Sequence, residues 1–239
     1  MGRISDIIKS NMKMDLEKTK RVLTDKEREY WKEVKKERPR PVDCFDYENV
    51  KRGFKFYTKS SLTKYNYQID DANKNIINLL CIYFSKDDEL MMRNFPQYST
   101  RKGLLIAGNC GTGKTMLLNL FKHVVKNLSS QAFRMTSTNA VVREYDESGS
   151  QALKTYLKHR WMFDDFGSEN MGKHYGKDEE VFKTIIEERY NLFLNTGEPT
   201  YLTTNLTISQ IKKRYGDRVA SRINEMFNVI LMGGHDRRK

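Results

Sequence analysis

From residue 102 onward, short apolar runs alternate with amphipathic stretches of helical length. "KGLLIAG" (102–108) is a compact apolar run, and "KTMLLNLFKHVVKNL" (114–128) follows with apolar residues three and four apart. The same alternation recurs downstream. The runs "AFRMTST" (132–138), "RWMFDD" (160–165), "PTYLTTN" (199–205) and "NVILMGG" (228–234) predict further strands. Between them, "NAVVREYDE" (139–147), "SQALKTYLKH" (150–159), "DEEVFKTIIEERYNLFLNTG" (178–197) and "SQIKKRYGDRVASRINEM" (209–226) predict helices. Short strands buried on both faces and joined by helices specify a mostly parallel sheet with helices on either side. The expected class is α/β, a three-layer α/β/α sandwich around a five-stranded sheet.

Upstream the pattern is less regular. Residues 70–95 are expected to be helical, with Ala72, Ile76, Leu79, Leu80 and Tyr83 on one face. "CFDYENVKRGFKFYTKS" (44–60) is aromatic and basic, and reads as a lead-in packed on the core or as a stacking surface for bases. Residues 1–44 form a separate helical, basic arm, and 45–239 form the main domain. In the arm, Ile4, Ile8, Met12 and Leu16 fall four apart, and Thr24 with Glu27 makes a capping box before Tyr30, Trp31 and Val34. Pro39 and Pro41 end that helix. The arm either presents these side chains to a partner protein or packs them on its own core.

Charge adds to this picture. With 43 Lys and Arg against 31 Asp and Glu, the net charge is +12, which points to a polyanionic partner, nucleic acid above all. No run approaches the roughly 20 apolar residues of a membrane span, and the charged N-terminus does not read as a secretory signal. Three cysteines (Cys44, Cys81, Cys110) without metal-ligand spacing fit a reducing, cytoplasmic setting.

The chemistry concentrates at "GNCGTGKT" (108–115), which fits G-x-x-x-x-G-K-[ST] between a predicted strand and a predicted helix. Gly108, Gly111 and Gly113 let the backbone curl, so that amides from Asn109, Cys110, Thr112 and onward to Met116 face a phosphate at a helix N-terminus. Lys114 reaches the β- and γ-phosphates of ATP, and the Thr115 hydroxyl ligates Mg²⁺. At the end of "WMFDD", Asp164 is the expected second metal partner and Asp165 the group that polarises water. Asn205, with Thr204 beside it, ends a strand where a polar side chain can orient that water. Arg218 and Arg222 lie four apart on one helical face, either a solvated stripe or guanidiniums offered to a neighbouring subunit's site. Arg237 and Arg238 read as a phosphate sensor or a basic tail. The loop "NMGKHYGKD" (170–178) mixes cations with an aromatic ring, as a strand-binding loop or a surface turn would.

Taken in order, the P-loop, "FDDFG", "TTN", "YGDRVASRI" and "HDRRK" resemble the AAA+ ATPases of the DnaC/DnaI helicase-loader group and the IstB-like transposition helpers. The likeness covers about residues 100–239 and extends toward 45. It implies a P-loop NTPase fold without a C-terminal helical lid. Lys114 and Thr115 would then be Walker A, Asp164 and Asp165 Walker B, and Asn205 sensor 1. Arg222 or Arg218 would be the arginine finger, and Arg238 or Arg237 the sensor-2 arginine. The implied function is an ATPase that assembles as a homo-oligomeric ring or spiral, binds single-stranded DNA, and loads or remodels a replicative helicase. The IstB-like alternative acts on duplex DNA with a transposase. A small-molecule P-loop kinase would need an arginine-rich lid that is not apparent, and a nucleotide-binding adaptor is a further alternative. Asp165 stands where many AAA+ enzymes have Glu, which implies slow hydrolysis.

Overall fold

A computed structural model of the chain describes residues 45–59 and 67–237. The expectations for the arm (1–44) and for Arg238 lie outside the described residues. The described residues divide into two compact units. One runs up to residue 100 and takes in 116–132, and the other comprises 101–115 and 133 onward.

The first unit is helical. Helices α1 (Tyr47–Lys59), α2 (Lys74–Phe84) and α3 (Asp88–Asn94) pack with the body of α4 (Lys114–Val125). The "KRGFKFY" stretch is therefore a helix, and its spacing sorts the side chains: Val50, Phe54 and Thr58 point inward at four-residue intervals. Phe121 of α4 stacks between Phe54 and Phe84, with ring centroids 4.8 and 5.0 Å away. Gly53 lets α1 approach Val124, which a Cβ at that position would meet at 3.3 Å. The stretch 70–95, expected to be helical, is helical in two pieces, broken at Lys86, whose φ of 54° no α-helix accommodates. Asp87 then caps α3 by accepting from the Leu90 amide at 3.0 Å.

The second unit carries the sheet. β1 (Gly103–Ala107), β2 (Arg134–Ser137), β3 (Trp161–Phe166), β6 (Tyr201–Thr204) and β7 (Phe227–Leu231) are arranged β2-β3-β6-β1-β7. Every pair is parallel. These are the five strands that the apolar runs predict. β1 lies between β6 and β7 and is buried along its whole length, as a strand covered on both faces must be. Helices α5 (Thr138–Ser148), the short α6 (Ser150–Leu153), α7 (Val181–Thr196), α8 (Ile208–Tyr215) and α9 (Asp217–Met226) complete the unit. The helix expected over 209–226 is two helices, because Gly216 at φ 91° ends α8 and starts α9. Residues 170–178 contain strands β4 (Gly172–His174) and β5 (Lys177–Glu179), which pair as an antiparallel hairpin.

α7 buries Val181, Phe182, Ile185 and Ile186, and one turn further on it buries Arg189 completely. That guanidinium donates to Thr200 Oγ1 (2.8 Å) and to the carbonyls of His159 (2.7 Å), Pro199 (3.1 Å) and Tyr156 (3.2 Å). Burial lowers its pKa to about 10. One side chain thus satisfies the carbonyls of two loops that would otherwise be buried without donors. Arg189→Met removes the donors and leaves the carbonyls, and should cost about 3 kcal/mol or more. Urea unfolding followed by circular dichroism would read this as a lowered midpoint at unchanged m-value.

Candidate active site

The loop after β1 turns sharply into α4. Gly111 and Gly113 take φ of 78° and 96°, which side chains with a Cβ rarely adopt. Gly108 lies so close to β7 that a Cβ there would stand 2.1 Å from the Met232 carbonyl oxygen. Asn109 and Cys110 are exposed at the loop's tip, while Thr112 is buried and donates to the Asn109 carbonyl at 3.0 Å. Met116 continues the first turn of α4.

Lys114 is buried, and its ammonium donates to the carbonyls of Gly108 and Asn109 (2.8 Å each) and to Asn205 Oδ1 at 2.7 Å. The lysine of the glycine-rich loop and the polar group at the end of β6 therefore meet directly, 91 residues apart in sequence. Thr115 Oγ1 donates to Asp164 Oδ1 at 2.6 Å, and Thr203 Oγ1 donates to the same oxygen at 2.6 Å. Lys114, Thr115, Asp164 and Asn205 thus form one cluster at the C-terminal ends of β1, β3 and β6, where ligands of parallel sheets bind.

The acidic pair has an unexpected backbone. Phe163 pairs with Leu202 and Phe166 with Thr204, so β3 holds one residue more than β6 between these points. The surplus is a bulge, and Asp165 within it has φ 59°. Bulges of this kind re-aim a side chain beside an active site. Thr203 stabilises the distortion, since its Oγ1 accepts from the Asp165 amide at 3.0 Å while donating to Asp164. Thr138 Oγ1 donates to the Asp165 carbonyl at 3.1 Å. The hydroxyl of Thr204, the residue beside Asn205, donates to the Phe166 carbonyl at 2.6 Å, below the bulge.

Thr203 escapes a reading from sequence, although period two in "YLTTN" places it on the opposite face from Leu202 and Thr204. A second network also escapes it. Arg214 on α8 donates to the Gly167 carbonyl and to the Glu169 carbonyl at 2.6 Å, and holds Glu180 at 3.2 Å. Tyr215 donates to the buried Glu169 carboxylate, and burial with that carboxylate raises the tyrosine's pKa. These contacts clasp both sides of the segment holding the hairpin. At its tip Tyr175 and Gly176 have φ of 48° and 76°, the turn that suits a two-residue hairpin. Tyr145 donates to Glu179 (2.6 Å), and Asp146 accepts from the Lys173 amide, docking the hairpin on α5.

Arg218 and Arg222 do not join the cluster around Lys114. Both approach Glu187 Oε1, at 3.6 and 3.2 Å. Arg222 is 12% exposed and lies over the Tyr190 ring, whereas Arg218 is 71% exposed. Near the C-terminus, the Arg237 amide donates to the Gly111 carbonyl (2.9 Å), and its Nε donates to the Thr112 carbonyl (3.1 Å). Arg237 therefore meets the glycine-rich loop.

A five-stranded parallel sheet of this order, with a glycine-rich turn from the interior strand β1 into a helix and an acidic bulge on a nearby strand, defines a P-loop NTPase fold. No family model and no curated protein matches the chain. Solved structures do. The chain is similar to the DnaC helicase loader at 21% identity and TM-score 0.51, covering 74% of this chain and 99% of that one. It is similar to DnaI at 21% identity and TM-score 0.51, covering 77% and 93%. Within the P-loop class the fold is therefore the DnaC-like AAA+ fold, as the motif order implies.

Gly111 offers a direct test of this geometry. A Cβ there would lie 2.1 Å from Asp236 Oδ1 and sit on a backbone at φ 78°. Gly111→Ala should destabilise the loop by about 1–3 kcal/mol, seen as faster amide hydrogen exchange in 108–113 and 233–237 with the rest of the sheet unchanged.

Proposed function

We propose that the chain is an ATP-hydrolysing assembly switch of DNA replication, acting as a helicase-loader-like AAA+ ATPase. The observation that carries this reading is the hydrogen-bonded set Lys114–Asn205 and Thr115–Asp164–Thr203, which unites the ends of three strands. Similarity in fold to proteins described as the DnaC helicase loader and DnaI supports the replication role.

In this reading the amides of 109–116 and the α4 N-terminus hold the ATP phosphates. Lys114 exchanges a backbone acceptor for a phosphate oxygen. Thr115 and Asp164 offer a hydroxyl and a carboxylate, hard oxygen donors that suit Mg²⁺. A metal held by these two residues would supply charge neutralisation for the phosphates. Asp165 polarises the attacking water, Asn205 orients it, and Arg237 or Arg238 senses the phosphate in cis. Arg222, with Arg218 beside it, completes the site of an adjoining copy once the pair with Glu187 is exchanged. Such a head-to-tail contact builds a ring or spiral. Tyr175, 94% exposed at the hairpin tip between Lys173 and Lys177, stacks on a base of single-stranded DNA. The replicative helicase is the protein partner and the cytoplasm the setting. Among the described residues no helix is long and apolar enough to cross a membrane.

Exposed Cys110 provides a binding readout independent of turnover. Burial pushes the Cys81 thiol up to about 12, so Cys81 reacts slowly. ATP with Mg²⁺ should protect Cys110 from maleimide, located by peptide mapping, and Lys114→Ala should abolish the protection. Equal labelling with and without nucleotide would overturn nucleotide binding at this loop.

The arginine assignment is tested by mixing. Arg222→Ala should lower ATP turnover about 10³-fold, the effect of losing an arginine finger, with Cys110 protection retained. Combining Arg222→Ala chains with Lys114→Ala chains should restore part of the activity, since each supplies what the other lacks. If Arg218→Ala behaves this way instead, the finger is Arg218.

A further inference from the structure

The outer face of α1 takes no part in the nucleotide site or the hairpin contact proposed above. Arg52, Lys55, Phe56 and Lys59 fall at i, i+3, i+4 and i+7, and all four are exposed, Phe56 by 65%. They lie opposite Val50, Phe54 and Thr58, which hold the helix to the core. Among the described residues Arg52, Lys55 and Lys59 have no acidic partner. Glu48, one turn before Arg52, approaches Lys51 at 3.8 Å instead.

The aromatic content of this surface is continuous. The Phe56 and Tyr57 rings are 5.2 Å apart, and Tyr57 lies 5.5 Å from His123 on α4 at an interplanar angle of 31°. Lys126 stands over the Tyr57 ring at 5.9 Å. Burial, and then Lys122 and Lys126, lower the pKa of His123, which favours its neutral form as an uncharged ring in a cationic field. Cations tracking a backbone, with rings to stack on unpaired bases, are what a single strand requires. A duplex hides the faces of its bases and would use the cations alone.

We propose that the outer face of α1, with Lys126, is a second contact surface for single-stranded nucleic acid, separate from the β4–β5 hairpin. It deepens the single-strand reading and rests on it for the choice of polyanion. Arg52, Lys55 and Lys59 contact phosphates, and Phe56 stacks on a base.

The test is the anisotropy of fluorescein-labelled oligo(dT) titrated with the full chain at several salt concentrations. Phe56→Ala should weaken oligo(dT) binding about 10-fold while leaving duplex binding unchanged. The triple variant Arg52→Ala, Lys55→Ala, Lys59→Ala should reduce the slope of log affinity against log salt by about 2, near 0.7 per phosphate contact. Unchanged melting temperature and ATP protection of Cys110 establish that each variant is folded. Tyr175→Ala, measured in parallel, separates the two surfaces: loss there alone, with Phe56→Ala silent, overturns this proposal and leaves the hairpin reading intact. Loss with Phe56→Ala alone does the reverse. The proposal also fails if the triple variant keeps the wild-type slope. It fails too if the variants lose binding to phosphatidylserine vesicles while oligo(dT) affinity stays unchanged, which would assign the face to anionic lipid.

Discussion

Asp164 Oδ1 accepts two hydroxyl hydrogen bonds at 2.6 Å, from Thr115 at the start of α4 and from Thr203 on β6. Much else at the site depends on this shared oxygen. It fixes the first turn of α4 to β3, and so orients the glycine-rich turn that precedes it. Through Thr203 it also ties down the Asp165 amide, so the bulge that displaces the second carboxylate is held by the group that steadies the first. A hydrogen bond to an ionised oxygen is stronger than one between neutral groups. Two on one atom make the spacing between β1, β3 and β6 a matter of side-chain chemistry as well as of the backbone ladder.

The site is consequently joined to its surroundings by polar contacts at several points. Asn205 holds Lys114, and two residues past it the chain enters α8 with a capping box at Thr207. The far end of α8 carries Arg214, which grips Gly167, Glu169 and Glu180 around the hairpin. A continuous path therefore runs from the glycine-rich loop through β6 and α8 to the hairpin base. Contact alone does not establish coupling, but each link is a directed hydrogen bond and each can be removed singly. Arg237 adds a link on the other side, gripping the carbonyls of Gly111 and Thr112.

How legible this was from sequence varies by element. The five strands and the P-loop were readable, because apolar runs bounded by glycine and polar residues signal buried strands. The cluster's members could be named because Asp164 and Asn205 end predicted strands, while Lys114 and Thr115 open the helix after the glycine-rich turn. The breaks at Lys86 and Gly216 were not read, since amphipathic spacing continues across both while the backbone does not. The hairpin read as a loop because its strands have three residues each and are held by Tyr145 and Asp146 on another element. In "CFDYENVKRGFKFYTKS" the two readings proposed are not exclusive, for one face packs inward and the other is exposed.

The sequence by itself determined the class of fold, the glycine-rich loop and the identity of the acidic, polar and basic residues around it. Periodicity, glycine spacing and the chemistry of carboxylates and lysine are local properties, written into consecutive residues. Tertiary structure alone decided that Thr203 shares an oxygen with Thr115 and that β3 carries an extra residue at Asp165. It likewise decided that Arg222 is folded against Glu187 while Arg218 stays exposed, and that Arg237 meets the loop. Each depends on register between strands or packing between helices distant in sequence, which no local pattern encodes.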